Sequence, residues 1–297
     1  MKELCIVPSF ERPDFLAICL EGIRGVYPDS DIHVFPDRGT SHLDICAEFK
    51  ATQHLTIQHT YHGNSFNMLE ALKWASTQSC GLLFVIEDDA IVDKTFFEWC
   101  RAALRMHPEA FAACGWRYSP QAIIQDGPDL MMPWYLSVCA AIPSKSLPGI
   151  IHHARPEYYS NMQEYLDRFY PTSPRRGGMH YEQDGLVLRV CESQGKRCVW
   201  PRRPRATHIG FTGYHAVGSP LTGSVEERRK IIRLCLDNPS VLSQLMNGGP
   251  SPRIGACFKC KEPLLITDEA KAICIKCFHH DHPDFEQTAT SHYYVNQ

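Results

Sequence analysis

The hydrophobic positions in the first half of the chain fall into short apolar runs that alternate with longer amphipathic segments. The short runs are typical of buried strands, and the longer segments carry apolar residues at helical spacing. We predict strands over residues 4–7, 32–35, 82–86 and 110–116, and helices over residues 15–23, 67–76 and 95–106. Strands that alternate with helices indicate an α/β fold with a mostly parallel sheet, which binds ligands beyond the carboxyl ends of its strands.

The second half of the chain has a less regular pattern. We predict a buried strand over 132–142, a loop-rich stretch over 152–178 with a helix at 161–169, a helix over 183–194, a strand at 198–200 and a helix over 224–237. The sequence Asn-Gly-Gly-Pro-Ser-Pro at residues 247–252 is typical of a linker. The expected organisation is therefore one large domain over residues 1–247 and a small domain over residues 253–297.

Three consecutive acids, Glu87, Asp88 and Asp89, follow the most apolar predicted strand and are called the acidic triplet below. Acids at the end of a buried strand repel one another, and a divalent cation relieves that repulsion. Mg²⁺ and Mn²⁺ usually bind through one or two carboxylates together with substrate phosphates. We therefore interpret the triplet as a metal and phosphate site that the predicted loops at residues 8–12 and 36–39 also reach. A solvated acidic turn is the alternative.

Composition and charge narrow the class of protein only slightly. The chain has 297 residues and a formal net charge of −3, so its overall charge does not indicate nucleic-acid binding, and only a local basic patch can. The longest apolar stretch, residues 130–142, is shorter than the roughly 18–20 residues that a membrane span needs. We find no signal peptide and expect a soluble, cytoplasmic protein without a membrane partner.

Cysteines form a separate signal near the C-terminus. Two Cys-x-x-Cys pairs have the spacing of a tetrahedral structural Zn²⁺ site, and the pairs consist of Cys257, Cys260, Cys274 and Cys277. We predict a small zinc ribbon there, because a domain of this size buries too little apolar area to fold without its metal. Of His279, His280 and His282, one replaces a cysteine ligand or all three are exposed to solvent. The other ten of the 14 cysteines are interpreted as buried free thiols.

Two stretches resemble a known family. Residues 86–98 resemble the metal motif of glycosyltransferases with the GT-A fold, especially the N-acetylglucosaminyltransferase I family, in which Glu-Asp-Asp likewise precedes a helix with paired phenylalanines. Residues 194–201 resemble the segment that follows the catalytic helix of that family. The resemblance covers residues 1–245 and implies a Rossmann-like, mostly parallel sheet flanked by helices. The acceptor signature of the family is replaced here by Glu182-Gln183-Asp184-Gly185, so the resemblance implies a different acceptor side.

The resemblance also implies roles for individual residues. Asp89 is expected to hold Mn²⁺ or Mg²⁺ on the phosphates of a UDP-sugar, while the other two acids of the triplet bind donor hydroxyls. Three residues lie where the family holds the uracil base, and they are Pro8, Arg12 and Asp37. His208 either joins the metal or is structural. Asp184 is expected to be the general base of an inverting transfer, or else a helix N-terminal acid, with Glu182 as the competing base.

The acceptor is the least determined part of the prediction. Arginines cluster near residues 197–205, where they either contact nucleic-acid phosphates or flank the diphosphate of the donor. Together with the zinc ribbon they make the chain similar to phage-encoded glycosyltransferases that modify 5-hydroxymethylpyrimidines in DNA. We therefore expect 5-hydroxymethylcytosine in DNA as acceptor, in a bacterial or phage-infected cytosol. A glycan, a protein acceptor or an inactive zinc-ribbon binding protein are the alternatives. Trp134 and Tyr135 line the pocket or belong to the core.

Overall fold

The computed structural model describes residues 2–297 apart from 38–40, 55–62, 117–127, 174–180, 211–220, 238, 247–252, 257–262, 267–271, 274–292 and 295–297. The chain divides into two compact units, Met1–His208 and Ile209–Gln297. Within the described residues, no helix is long and apolar enough to cross a membrane.

A mixed sheet forms the centre of the first unit. Its strands are β1 (Glu3–Ser9), β2 (Ile32–Pro36), β3 (Thr52–Gln53), β4 (Leu82–Ile86), β5 (Ala90–Val92), β6 (Ala113–Cys114), β7 (Leu130–Met132), β8 (Cys139–Pro143), β9 (Cys198–Trp200) and β10 (Ala206–His208). Eight of them form one sheet in the order β3-β2-β1-β4-β8-β6-β9-β7, and β5 pairs with β10. Only β8 and β7 run against the other six, so the expectation of a mostly parallel sheet is confirmed.

Helices cover both faces of this sheet. They are α1 (Pro13–Val26), α2 (Leu43–Glu48), α3 (Asn64–Ser76), α4 (Phe96–Met106), α5 (Leu147–Ile151), α6 (Pro156–Ser160), α7 (Met162–Phe169) and α8 (Gln183–Ser193). Alternate residues of β4 point to opposite faces. Leu83 and Val85 join one apolar cluster with residues of α3, α5 and α8, whereas Phe84 and Ile86 join another with residues of α1 and α4. The result is a three-layer α/β architecture, as the sequence predicted.

Several predicted boundaries were wrong. The stretch at residues 132–142 forms the ends of two strands, β7 and β8, rather than one strand, and Pro133 between them has no N–H for a sheet ladder. The predicted loop at residue 8 is still strand, since Pro8 pairs in register with Phe35. The stretch at 152–178 contains α6 as well as the predicted α7, and only two residues of the predicted strand 110–116 form ladder pairs.

The described part of the second unit contains two helices followed by short strands. Its described elements are α9 (Val225–Leu236), α10 (Pro239–Met246), β11 (Arg253–Ala256), β12 (Pro263–Ile266), β13 (Ala272–Ile273) and β14 (Tyr293–Tyr294). A capping box between Ser224 and Glu227 starts α9, while β11 pairs with β12 and β13 with β14 in antiparallel fashion. The four predicted zinc cysteines and the three nearby histidines lie outside the described residues. The zinc ribbon and its boundary at residue 247 therefore stay predictions.

Candidate active site

The acidic triplet lies directly beyond β4, beside the end of β1. These two strands are parallel neighbours, so their carboxyl ends meet at one edge of the sheet. The Ser9 hydroxyl and the Phe10 backbone N–H both donate to Asp88 Oδ2, each at 3.1 Å. The side chain of Asp88 is therefore fixed by the last residue of β1 and by the residue that follows it, so the chain segments after β1 and β4 meet as predicted.

Arg12, just before α1, neutralises two acids of the triplet. Its Nη1 lies 2.7 Å from Asp89 Oδ2, and its Nη2 forms an ion pair with Asp88 Oδ1. Burial alone would raise the pKa of Asp89, but the charge of Arg12 and the contact with His208 hold it below its usual value. Because this guanidinium relieves much of the repulsion expected within the triplet, repulsion by itself no longer calls for a metal ion.

His208 approaches the triplet from the other side. The β5–β10 pair places His208 opposite Ala90, the residue after Asp89. His208 Nε2 lies 3.4 Å from Asp89 Oδ1, and the rings of His208 and Trp116 form an edge-to-face pair with centroids 5.4 Å apart. Burial alone would lower the pKa of His208, yet the neighbouring Asp89 raises it. The structure thus brings together the two residues that the sequence analysis named as metal ligands.

Asp89 and His208 could hold a divalent cation that takes only a few of its ligands from the protein. Asp89 Oδ1 is buried and, among the described residues, makes no hydrogen bond besides the 3.4 Å contact with the imidazole. A buried carboxylate oxygen next to an imidazole nitrogen offers two ligand atoms of kinds that divalent cations accept. No group of three or more metal-binding side chains converges in the described part of the chain. Within the described part of the chain, Asp89 and His208 would therefore supply the protein ligands of such an ion, and water or a bound substrate would supply others.

Asp184 lies in the first turn of α8. The start of this helix is anchored to α3, because Ser65 Oγ accepts from Gln183 N at 3.0 Å and donates to Gln183 Oε1 at 2.8 Å. Asp184 is 7% exposed, and its Oδ1 accepts a hydrogen bond from the backbone N–H of Ser137 at 2.8 Å. Burial raises the pKa of Asp184 to about 6, although the hydrogen bonds from Ser137 oppose the shift. A carboxyl of this kind is suited to general base catalysis near neutral pH.

Ser137 connects Asp184 with the triplet. Its hydroxyl donates a hydrogen bond to Glu87 Oε1, and its backbone N–H donates one to Asp184 Oδ1. The two carboxyl groups therefore lie on either side of one residue. Burial raises the pKa of Glu87 to about 8, and the charges of Asp89 and Asp184 act in the same direction. The sequence analysis missed Ser137. The available signal was a small polar residue inside the predicted buried run at 132–142.

The remaining predicted site residues lie at the same sheet edge or at the start of α8. Asp37 follows β2 and is buried, and its Oδ2 accepts from Gly63 N at 2.9 Å. Gly63 has a φ of +97°, a conformation that favours glycine and allows this approach to the start of α3. Glu182 precedes α8, and its charge raises the pKa of Asp184. The two candidate pocket aromatics differ, since Tyr135 is buried and Trp134 is 43% exposed.

No protein-family model and no curated protein matches this chain. Among solved structures it is similar to the mannosyltransferase PcManGT from Pyrobaculum calidifontis in complex with GDP-Man and Mn²⁺, with 13% identity over 67% of this chain and 54% of that one and a TM-score of 0.42. It is also similar to TarS of S. aureus (12% identity, 82% and 42% coverage, TM-score 0.47). A third similar structure is the galactosyltransferase LgtC in complex with donor and acceptor sugar analogues. The identity is 11% over 64% of this chain and 70% of that one, with a TM-score of 0.39.

Sugar transferases thus recur among the structures that this chain resembles. The chain spans about half the length of the mannosyltransferase and less than half that of TarS. Similarities at these identities and TM-scores assign no activity. The function of the chain has to come from its own residues.

Proposed function

We propose that this protein is a metal-dependent, inverting glycosyltransferase that moves a sugar from a nucleotide-diphosphate sugar, UDP-linked by preference, to a hydroxyl group. One observation carries the proposal. Asp89, whose pKa is lowered, lies beside His208 and two residues after Glu87. Asp184, whose pKa is raised, is joined to Glu87 through the N–H and the hydroxyl of Ser137. Environments that push the pKa values of two acids apart are typical of sites that divide ligand binding from proton transfer.

On the donor side, Asp89 and His208 are the residues that hold the cation. When bound, Mn²⁺ or Mg²⁺ supplies Lewis-acid stabilisation of the negative charge that develops on the departing diphosphate. Glu87, which is half-buried, is placed to hydrogen-bond a hydroxyl of the sugar or ribose. Asp37 and Pro8 lie at the ends of neighbouring strands on the same sheet edge, where the base of the nucleotide is proposed to bind.

On the acceptor side, Asp184 removes the proton of the attacking hydroxyl. The oxygen of the acceptor then bonds to the anomeric carbon while the bond from that carbon to the diphosphate oxygen breaks. Direct attack from the face opposite the leaving group inverts the configuration of the sugar. Glu182 lies two residues away and is less enclosed than Asp184, so Asp184 is the better-placed base.

Release of nucleoside diphosphate tests the donor half of the proposal. The purified protein is incubated with UDP- and GDP-linked hexoses and N-acetylhexosamines, with Mn²⁺, with Mg²⁺ or with a chelator. We expect metal-dependent release from at least one donor, and a product of inverted anomeric configuration by NMR. Absence of release from every donor, with both metals, contradicts the transferase and favours an inactive binding protein.

For the acceptor we propose the hydroxymethyl group of 5-hydroxymethylcytosine in DNA. Exposed Arg203 and partly exposed Arg202 lie between β9 and β10, so positive charge is carried by the loop that leads into the strand ending at His208. Exposed Trp134, whose carbonyl accepts from Trp200 Nε1 at 3.0 Å, offers an aromatic surface for a base that has left the stack. Labelled donor and matched duplexes with cytosine or 5-hydroxymethylcytosine are the test. Labelling of a saccharide or protein but not of hydroxymethylated DNA contradicts this acceptor.

The four cysteines of the two Cys-x-x-Cys pairs are proposed to hold one structural Zn²⁺. Metal analysis of the purified protein is expected to give one zinc per chain, and Cys274→Ser to lower that content. A zinc content of zero in protein purified without chelator contradicts the ribbon.

A further inference from the structure

We infer that Ser137 is a positioning residue that holds the donor-side acid Glu87 and the acceptor-side base Asp184 in one fixed arrangement. This inference rests on the proposed function and assigns a role to a residue that neither the sequence motifs nor the resemblance singles out. Ser137 is 1% exposed, and two groups of the same residue each donate a hydrogen bond to a different carboxyl.

The backbone around Ser137 makes the arrangement rigid. The next residue, Val138, accepts a hydrogen bond from Glu87 N at 3.0 Å, and the following one, Cys139, pairs with Ile86 in the β4–β8 ladder. The side chain of Glu87 is therefore held by the same segment that holds its backbone. Because β4 and β8 are paired by backbone hydrogen bonds, Glu87 and Ser137 at their ends have little freedom to move relative to each other.

The other end of the link is anchored as well. Gln183 N and Gln183 Oε1 are bound to Ser65, which fixes the backbone of α8 next to Asp184. The main freedom left to Asp184 is rotation of its own carboxyl group. Ser137 restrains that rotation through its N–H, which donates to one oxygen, and its hydroxyl also stabilises the ionised carboxylate. A base has to lie within hydrogen-bond reach of the proton it removes, so a loss of this restraint lowers the rate rather than the affinity for donor.

Substitutions of Ser137 can remove its side-chain hydroxyl while its backbone N–H stays in place. Ser137→Ala keeps the N–H that donates to Asp184 but deletes the hydroxyl, which donates to Glu87 and also lowers the pKa of Asp184. Ser137→Thr keeps both donors. Ser146 provides a matched control, because it is also fully buried and its hydroxyl donates to Phe111 O at 2.9 Å, beyond the other end of β8. Ser146→Ala therefore removes a buried hydroxyl of the same kind without touching the site.

Among the described residues, charged and titratable groups on several elements interact with Asp184. Glu182 raises its pKa from the same helix, and Asp184 interacts with Glu87 on the β4 side, Tyr135 on the segment before β8 and Tyr158 on α6. The hydrogen bonds from Ser137 oppose the effect of burial. Loss of the Ser137 hydroxyl is therefore expected to raise the titration midpoint of Asp184.

Two readouts test the inference. In steady-state kinetics we expect Ser137→Ala to lower kcat by about 10- to 100-fold with the donor KM within about threefold, as for an interaction that matters in the transition state. Ser137→Thr restores at least part of kcat, and Ser146→Ala leaves it unchanged. The second readout is carboxyl ¹³C NMR with labelled aspartate, in which the Asp184 signal is assigned through Asp184→Asn. We expect the pKa of Asp184 in Ser137→Ala to lie about half a pH unit or more above that in the unmutated protein.

The outcomes separate this inference from the proposed function. If the unmutated protein transfers sugar and Ser137→Ala matches Ser146→Ala in kcat and in the Asp184 titration, the positioning role is overturned and the transferase stands. If no donor is turned over, the transferase fails, and the titration still decides whether Ser137 controls Asp184. An unshifted titration overturns the link in that case as well, provided that the denaturation midpoint shows the variant to be folded.

Discussion

Asp89 and Asp184 are both buried carboxyl groups at the same edge of one sheet, yet their environments shift the pKa in opposite directions. Asp89 contacts the guanidinium of Arg12 and the imidazole of His208, and its pKa is lowered. Asp184 accepts a hydrogen bond from a neutral N–H, and burial raises its pKa to about 6. Cationic partners stabilise a permanent carboxylate, whereas neutral donors leave a carboxyl able to take up and release a proton.

This difference indicates which acid can serve which purpose. A carboxylate that stays ionised at any physiological pH is suited to a cation and to phosphates, and a carboxyl that titrates near neutrality is suited to an acceptor hydroxyl. Substitutions that remove one charge or one partner at a time can therefore show whether Asp89 binds the cation and Asp184 transfers the proton.

The largest effect is expected from Asp89→Asn. The amide keeps the shape of the side chain but removes the charge that the cation needs, so metal-dependent donor cleavage should fall by about 10³-fold or more. Glu109→Gln, an exposed acid on the loop after α4, is the control and should leave the rate unchanged. A rate for Asp89→Asn within a factor of ten of the unmutated enzyme would rule out the metal role of this residue.

Arg12→Ala is expected to give the next largest effect, on stability. Removal of the guanidinium leaves the buried Asp88 with its Ser9 and Phe10 hydrogen bonds and the buried Asp89 with His208, but takes away the charge that pairs with both acids. Loss of one partner of a buried ion pair typically costs about 3–5 kcal/mol. The free energy of unfolding from urea titration measures the loss. Arg155→Ala is the control, because among the described residues the Arg155 side chain donates hydrogen bonds to His152 alone. Similar unfolding curves for the two variants would mean that Arg12 does not stabilise the triplet.

Asp184→Asn is expected to act in the opposite direction on stability. The folded pKa of about 6 exceeds the ordinary 3.8, so above pH 6 the ionised carboxyl destabilises the folded state, by up to about 3 kcal/mol. The amide carries no such penalty, so the variant should be more stable than the unmutated protein at pH 8. The gain should fade as the pH drops from 6 to 4, where Asp184 is protonated in the folded state. A less stable variant at pH 8 contradicts the buried, raised-pKa carboxyl.

The smallest effect is the pH dependence of the rate. If Asp184 is the base, it must be ionised, so kcat should be level above pH 7 and fall tenfold per pH unit well below the pKa of about 6. The profile is measured with saturating donor and acceptor. A limb near pH 4, the ordinary range of a carboxyl, would contradict the assignment of Asp184 as base.

The sequence predicted much of the fold because strand and helix patterns are local. β4 was predicted with its observed bounds, and the triplet was placed at the edge of a parallel sheet where a site is expected. β5 and β10 were missed because three-residue strands carry no periodic signal, and their pairing joins residues that are far apart in the sequence. The pairing nevertheless sets the position of His208.

The links within the site were harder to predict than its members. Asp89 and Asp184 were chosen through motif resemblance, but neither spacing nor composition shows that Arg12 binds the acids rather than a ligand, or that Ser137 lies between the two carboxyls. Each of these contacts depends on how loops pack across the sheet. Such long-range packing becomes visible only in three dimensions.

The central claim is that Asp89 binds the cation and Asp184 does not. Its most direct test is Mn²⁺ binding in the presence of UDP, measured by electron paramagnetic resonance on three proteins. The account predicts that the unmutated protein and Asp184→Asn bind Mn²⁺ equally well and that Asp89→Asn does not. Loss of Mn²⁺ binding in Asp184→Asn, or unchanged binding in Asp89→Asn, would contradict it.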